Sequence, residues 1–502
     1  MAIPKKRPLF SLTHAQWLAL ILIFYFLLRL PFITTLPFLK DENLYALMAD
    51  EMMQHTSLLP TLFSQELAWR PALPFYLLAP FSQLLLNLPL PIEFAYRSPS
   101  VIFGAACVLL LYLFTKELYN NGDLALLAAA IFASNPLAIY VNNTVLVDSL
   151  LLFFMLLSLL CYVRGMRNEK YFLAAGAFAF LAFMVKTVVA FIIVPLAVAL
   201  LFFHSRSLLK NRYFLFSLLA IPLAIAAYFL MFSDKQMFFD EFAKNVTQKL
   251  PSSQDGQDFG ALLNRLWVSF WLFLAFCIVW LGFYASGILL YARKHQFLLF
   301  WCSFIIFAIS GGAGMPWYYL PILPPLCIFA ALPILASQRA DKFTLLMMLF
   351  LLGASAVLST YFYVQNTLGF ATFWEKDAGI YLQGKNNTLL IGGYPSGTLF
   401  YKLHYESPRT AFCWVFMPAP QNATTEEIRG FIYSYGSYNP SSSYGRLTDF
   451  FWEKRDFRLP CKAPEKFDYV AAVNLNASIM AALPDYVKTK EFQNLTVYER
   501  AR

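Results

Sequence analysis

Charge is scarce in this chain. Only 13% of its 502 residues are Asp, Glu, Lys or Arg, about half of the roughly 25% usual in soluble domains. With 59% of residues hydrophobic, a soluble monomer of this length would lack the polar surface it needs. Intrinsic disorder is excluded by the 18% aromatic content, because disordered chains have little to bury. The 21 Gly and 28 Pro show no short period, which rules out collagen-like and low-complexity architectures. Histidine is sparse too: there are five, His55 and His204 stand alone, and no His/Cys cluster has metal-ligand spacing. Cys107, Cys161, Cys277, Cys302 and Cys327 lie in apolar runs and read as small buried hydrophobes. Cys413 and Cys461 fall in the polar C-terminal part and are the candidates for one disulfide in an oxidising space. What remains is a polytopic helical membrane protein with a soluble appendage.

Apolar runs long enough to cross ~30 Å of hydrocarbon occur eleven times, at about 16–36, 98–118, 123–140, 144–163, 171–185, 187–203, 212–231, 265–291, 297–312, 316–336 and 343–363. The first is too long for a cleavable signal, and no small-residue cleavage site follows Leu30-Pro31. One set of alternate loops carries 14 basic residues in six short segments, from Lys5-Lys6-Arg7 to Arg339 and Lys342. The excess predicts a cytoplasmic N-terminus and an external C-terminal domain in the plasma membrane. Residues 364–502 hold 15 basic and 13 acidic residues, so most of the net charge of +9 is topological and does not signal nucleic acid. Six Asn-X-Ser/Thr sequons, starting at Asn142, Asn245, Asn386, Asn422, Asn476 and Asn494, all fall on the predicted outer side. The expected domains are 1–363, with a long first external loop over 37–97, and 364–502. Strand-like runs at 388–392, 398–401, 469–473 and 495–498 make the second a small α/β unit.

Chemistry-bearing residues gather at the predicted outer level. Asp41-Glu42 opens a segment whose apolar stripe (Tyr45, Leu47, Met48, Met52) predicts an amphipathic interfacial helix. Asp41 suits either an N-cap or a carboxylate beside a reaction site. Trp69-Arg70-Pro71 sets a cation among aromatics, where prolines forbid a helix through the segment. The guanidinium suits either a lipid phosphate or an aromatic belt. Asp148, one turn into span four, is a functional carboxylate or the partner of a cation. Lys186 ends span five, where snorkelling is the ordinary alternative to phosphate binding. Tyr318 lies where the glycines of 311–314 give way to a proline-broken span, fit for a phosphate oxygen or an interfacial anchor.

On these residues the chain resembles the GT-C membrane glycosyltransferases, and within them the lipid A aminoarabinose transferases and relatives of the dolichyl-phosphate-mannose protein mannosyltransferases. The motifs, in family order, are Asp41-Glu42-x-x-Tyr45-Ala46, Arg70-Pro71-x-Leu73-Pro74, Leu146-Val147-Asp148, Met184-Val185-Lys186-Thr187 and Tyr318-x-x-Pro321-x-x-Pro324. Arg70, Ala72 and Thr187 stand where that transferase has Lys, Pro and Gly. The resemblance covers about residues 10–365 and implies an inverting transfer of sugar from a polyprenyl-phosphate donor to a protein, lipid or glycan acceptor. It implies Asp41 and Glu42 as catalytic carboxylates, and Arg70, Lys186 and Tyr318 at the donor phosphate. Asp148 and Tyr45 would orient the acceptor or Lys186. The resemblance implies no certain cofactor: members of the family differ over metal use, and a divalent metal at Asp41 is compatible. The alternative class is a transporter or flippase for a lipid-linked substrate, which would favour internal repeats and charges near the bilayer midplane; a non-catalytic glycan-binding protein is a third.

Overall fold

The structure is a computed structural model that describes residues 12–38, 40–54, 59–62, 65–66, 71–145, 147–232, 235–236, 238–239, 267, 279–310, 316–336, 353–355, 357, 373–385, 388–392, 412–416, 468–473, 485–493 and 495–501. Two compact units emerge, one of residues 1–36 with 51–367 and the other of 37–50 with 368–502.

The first unit is a helical bundle. Among the described residues, five helices are long and apolar enough to cross a membrane, or six if one bent pair counts as a span. The run predicted at 16–36 becomes α1 (His14–Leu27) and α2 (Leu30–Thr35). Thr13 starts it with a capping box, its hydroxyl accepting from the Gln16 amide while the Gln16 side chain accepts from the Thr13 amide. The run predicted at 98–118 is longer, because α5 (Ile92–Tyr119) already includes Glu93 and Arg97, both buried. Arg97, expected at the end of the first external loop (37–97), instead lies within α5 and donates through Nη1 to the Leu36 carbonyl at 2.6 Å. Asn120, in the left-handed region at φ 51°, ends α5.

Three further differences concern the segments after α2. The predicted interfacial helix forms as α3 (Lys40–Gln54), yet it is not half-solvated: Glu42, Asn43, Asp50 and Glu51 are buried along with Tyr45 and Met48. An interfacial helix keeps its charges in water, whereas here each of those polar residues has interactions of its own. The supposed loop that follows holds a short antiparallel pair, β1 (Thr61–Leu62) and β2 (Gln65–Glu66), and then an apolar helix, α4 (Leu73–Leu86). Pro74 does not prevent α4, since it occupies the first turn, where no backbone N–H is needed, and the helix also accommodates Pro80 in its interior.

The run predicted at 123–140 breaks into α6 (Gly122–Ser134) and α7 (Pro136–Asn142), bent by 62°. Pro136 disfavours helical geometry at Asn135, and the Asn135 side chain caps the new helix by accepting from the Leu137 and Ala138 amides. Next come α8 (Asp148–Gly165), α9 (Tyr171–Val185), α10 (Thr187–Ala190), α11 (Ile193–His204), α12 (Arg212–Leu218) and α13 (Ala220–Met231). Further along the described residues come α14 (Leu281–Tyr291), α15 (Gln296–Ser310) and α16 (Leu323–Ala336), with a 3-10 segment, Pro316–Ile322, before α16. Several of these, α9 and α11 among them, are shorter than 18 residues. The 343–363 run and the first part of 265–291 lie almost wholly outside the described residues.

Packing between α14 and α16 depends on a missing side chain. A Cβ at Gly287 would stand 1.9 Å from the Phe329 carbonyl oxygen, a backbone atom that cannot swing aside. Gly287→Val is therefore expected to destabilise the bundle by about 1–3 kcal/mol, the usual scale of overpacking, read as a lower unfolding midpoint in detergent.

At one end of the bundle, Arg164 of α8 holds Glu117 of α5 at 2.7 and 2.9 Å, and His14 meets Asp123 at 2.9 Å. His295, in the turn between α14 and α15, packs edge-on against Tyr119. Burial, then Lys294, then His204 push its pKa below the usual histidine value. The folded state thus resists protonating it, so its contribution is fully present above pH about 6.5 and declines as pH falls below that. The unfolding midpoint should drop between pH 8 and 5.5 by more in the wild type than in His295→Gln.

The second unit contains a five-stranded sheet of order β4-β3-β5-β7-β6. Its members are β3 (Thr388–Gly392), β4 (Phe412–Phe416), β5 (Tyr469–Val473), β6 (Tyr486–Phe492) and β7 (Leu495–Arg500). The β4-β3-β5 side is parallel, and β5-β7-β6 is antiparallel. Helix α17 (Phe373–Tyr381) joins it through Tyr381, whose ring meets that of Phe492 at 5.8 Å. Strands β4 and β6 were not expected from the sequence; the run at 398–401, and Cys461 of the candidate disulfide, lie outside the described residues.

Candidate active site

Helix ends create this site. Asp148 is the first residue of α8, and Lys186 closes α9, its backbone N–H bonding the Ala182 carbonyl at 3.1 Å before the chain turns into α10. A carboxylate at a helix N-terminus and an ammonium at a helix C-terminus each face the favourable end of the helix dipole. The two side chains meet: Lys186 Nζ donates to Asp148 Oδ1 at 2.6 Å. Both are enclosed, with side chains only 3% and 5% exposed. Such a pair is costly to desolvate and needs good geometry to hold.

Tyr318 completes the cluster from the 3-10 segment. The Lys186 ammonium lies 4.4 Å from the centroid of its ring, within range of a cation–π attraction. An ammonium carries three N–H donors; the bond to Asp148 uses one, and the aromatic face shields another side. Asp148, 38 positions before Lys186, and Tyr318, 132 positions after it, are thus gathered around one ammonium. The arrangement holds an ammonium in a dry setting against the carboxylate that balances its charge, with N–H donors left over for an acceptor such as a phosphate oxygen.

Support for Asp148 comes from its neighbours. Ser149 donates to Asn142 Oδ1 at 2.7 Å, tying the start of α8 to the end of α7. Asn142 is 1% exposed, so the sequon read there is closed to modification in the folded chain. Its amide and the Tyr25 hydroxyl both crowd the space over Gly104. The remaining five sequon asparagines lie outside the described residues.

Of the other sequence candidates, Asp41, Glu42 and Tyr45 are all in α3, with Glu42 and Tyr45 buried. Arg70 lies outside the described residues. No group of three or more His, Cys, Asp or Glu able to hold a metal ion occurs among the described residues. Sequence reasoning overlooked Asn142 and Ser149 as a support and Arg29 as a buried cation. Arg29 had a signal, being the lone charge within the first apolar run.

Comparison with known proteins follows the same line. The model of the dolichyl-phosphate-mannose-protein mannosyltransferase family matches residues 70–232, which include Asp148 and Lys186. YycA of Bacillus subtilis, described as a candidate mannosyltransferase, is 34% identical over 116 residues, 23% of this chain and 17% of YycA. An undecaprenyl phosphate-alpha-4-amino-4-deoxy-L-arabinose arabinosyl transferase of Wigglesworthia glossinidia brevipalpis is 25% identical over 337 residues, 61% of this chain and 56% of that protein. The chain therefore aligns with less than two thirds of the length of either curated relative. Among solved structures, ArnT from Cupriavidus metallidurans bound to undecaprenyl phosphate superposes with a TM-score of 0.64 at 14% identity, covering 97% of this chain and 98% of ArnT. Family model, curated relatives and solved structure converge, and the chain has the fold of the GT-C membrane glycosyltransferases.

Proposed function

We propose that the chain is an inverting glycosyltransferase that moves a sugar from a polyprenyl-phosphate carrier to a protein, lipid or glycan acceptor at the outer face of the membrane. The single observation that carries this reading is the enclosed Asp148–Lys186 pair beneath Tyr318, inside a fold shared with a protein solved bound to undecaprenyl phosphate.

In this reading an acceptor hydroxyl attacks the anomeric carbon as the bond from that carbon to the carrier phosphate breaks. Asp41 takes the hydroxyl proton. The polyprenyl phosphate departs with the bonding electrons, and Arg70, Lys186 and Tyr318 stabilise its charge. Because a phosphate is already a good leaving group, no acid is needed on the departing side, in contrast to the two carboxylates of a glycosidase. Asp148 fixes the Lys186 ammonium, Glu42 assists Asp41, and Tyr45 contacts the acceptor. A single displacement inverts the anomeric centre. Residues 364–502 form an external module, and eleven spans carry the N-terminus to the cytoplasmic side.

Purified protein incubated with a panel of polyprenyl-phosphate sugars should release free polyprenyl phosphate from at least one of them once a suitable acceptor is present. Folded protein that releases none across the panel, with protein, lipid and glycan acceptors, would overturn the assignment.

A further inference from the structure

Arg29 is wholly buried, and no carboxylate pairs with it among the described residues. Its Nη1 donates to two carbonyls, that of Tyr25 at 3.0 Å and that of Ala133 at 3.1 Å. Its Nε and Nη2 have no hydrogen-bond partner among the described residues, and the guanidinium stacks 3.4 Å from the centroid of the Tyr25 ring. Both accepting carbonyls belong to last turns, of α1 and of α6. The negative ends of two helices therefore converge on one cation, which compensates both.

The place where this happens is the knee between α6 and α7. The next carbonyl, that of Ser134, accepts from Ser355 Oγ at 2.6 Å, and Asn135 Nδ2 donates to the Tyr284 hydroxyl at 3.0 Å. Three buried side chains thus pin three consecutive residues of the bend. Helix α7 runs from there to Asn142, which accepts from Ser149 beside Asp148. The same short helix packs against the 3-10 segment that bears Tyr318.

We infer that Arg29 is a positioning residue: by tying the C-terminal ends of α1 and α6 together, it sets the angle of α7 and through it the placement of Asp148 and Tyr318 around Lys186. One nitrogen makes both carbonyl bonds, so an ammonium at the same place can make them as well, whereas a thioether cannot.

The test compares Arg29→Lys with Arg29→Met in the full-length protein. Hydrogen exchange read by mass spectrometry reports on the placement of α7 without reference to turnover. In Arg29→Met the amides of residues 137–145 and 317–320 should exchange about tenfold faster, as expected on losing charge-assisted bonds. Residues 150–163 should be unchanged, and Arg29→Lys should resemble the wild type throughout. Faster exchange across the whole bundle in Arg29→Met would mean a merely structural role and would overturn the inference. Unchanged exchange at 137–145, or an Arg29→Lys that behaves like Arg29→Met, would overturn it equally. A second arm rests on the transferase reading. Per folded molecule, kcat should fall about tenfold in Arg29→Met and recover in Arg29→Lys. Combined with Ser149→Ala, the Met variant should lose little more, since both act through one relay; additive losses would count against the relay. A wild type without transferase activity would sink that reading while leaving the exchange result to decide this one.

Discussion

Asp148→Asn should lower the unfolding free energy by about 3–5 kcal/mol, the scale for breaking a buried ion pair from one side. The amide keeps the shape of the carboxylate but leaves the Lys186 ammonium enclosed with no counter-charge. Lys186→Met should be damaging for the mirror reason, an unpaired carboxylate in the same enclosure. The decisive comparison is the double variant Asp148→Leu with Lys186→Met. Removing both charges also removes both desolvation penalties, so most of the lost stability should return. Transfer activity should stay absent, because the fixed cation is gone. Equilibrium unfolding in detergent, with donor turnover on the folded fraction, separates the two quantities. Single variants as stable as the wild type would mean that the pair is hydrated in the working protein.

Asp41→Asn is expected to act on rate alone. A positioned general base contributes about 10²–10⁴-fold, so kcat should fall by that order while binding of a polyprenyl-phosphate sugar stays within about twofold. An amide still accepts a hydrogen bond but cannot take the acceptor proton. Asp41→Glu should retain part of the rate. Donor binding by labelled lipid capture and single-turnover release of polyprenyl phosphate give the two readings. A transporter for the same lipid would barely register the change, so normal flux in Asp41→Asn with no transferase activity in the wild type would favour that class.

Much of the helical framework was legible because apolar runs in a chain with 13% charge have few other uses. Charges within or beside those runs were legible for the same reason and led to Asp148 and Lys186, while the passage from glycines to a proline-broken span led to Tyr318. Their mutual geometry was not. A pairing across 38 residues depends on how α8 and α9 lie together, and periodicity carries no such information. The knee at Asn135 had a local signal in its Asn-Pro dipeptide, overridden by the hydropathy of the surrounding run. Helix α4 was lost to the opposite error, in which two prolines outweighed an apolar stretch although Pro74 sits where a helix accepts it. In the second unit, β3 and β5 match their apolar runs, while β6 (Tyr-Val-Lys-Thr-Lys-Glu-Phe) is too charged to declare itself. Edge strands often are charged, and β6 forms one edge of its sheet. For α3, the stripe was read correctly, but burial of its carboxylates depends on tertiary surroundings that no stripe encodes.

The enclosure of Asn142 gives the chain a built-in witness to its own maturation. Oligosaccharyl transfer needs an asparagine amide that is accessible, and here that amide is accessible only before α7 seats on α8. In a cell that glycosylates such acceptors, a glycan at Asn142 would label molecules that stalled before this step. The bulky sugar would then bar the hydrogen bond from Ser149, committing those copies to disposal.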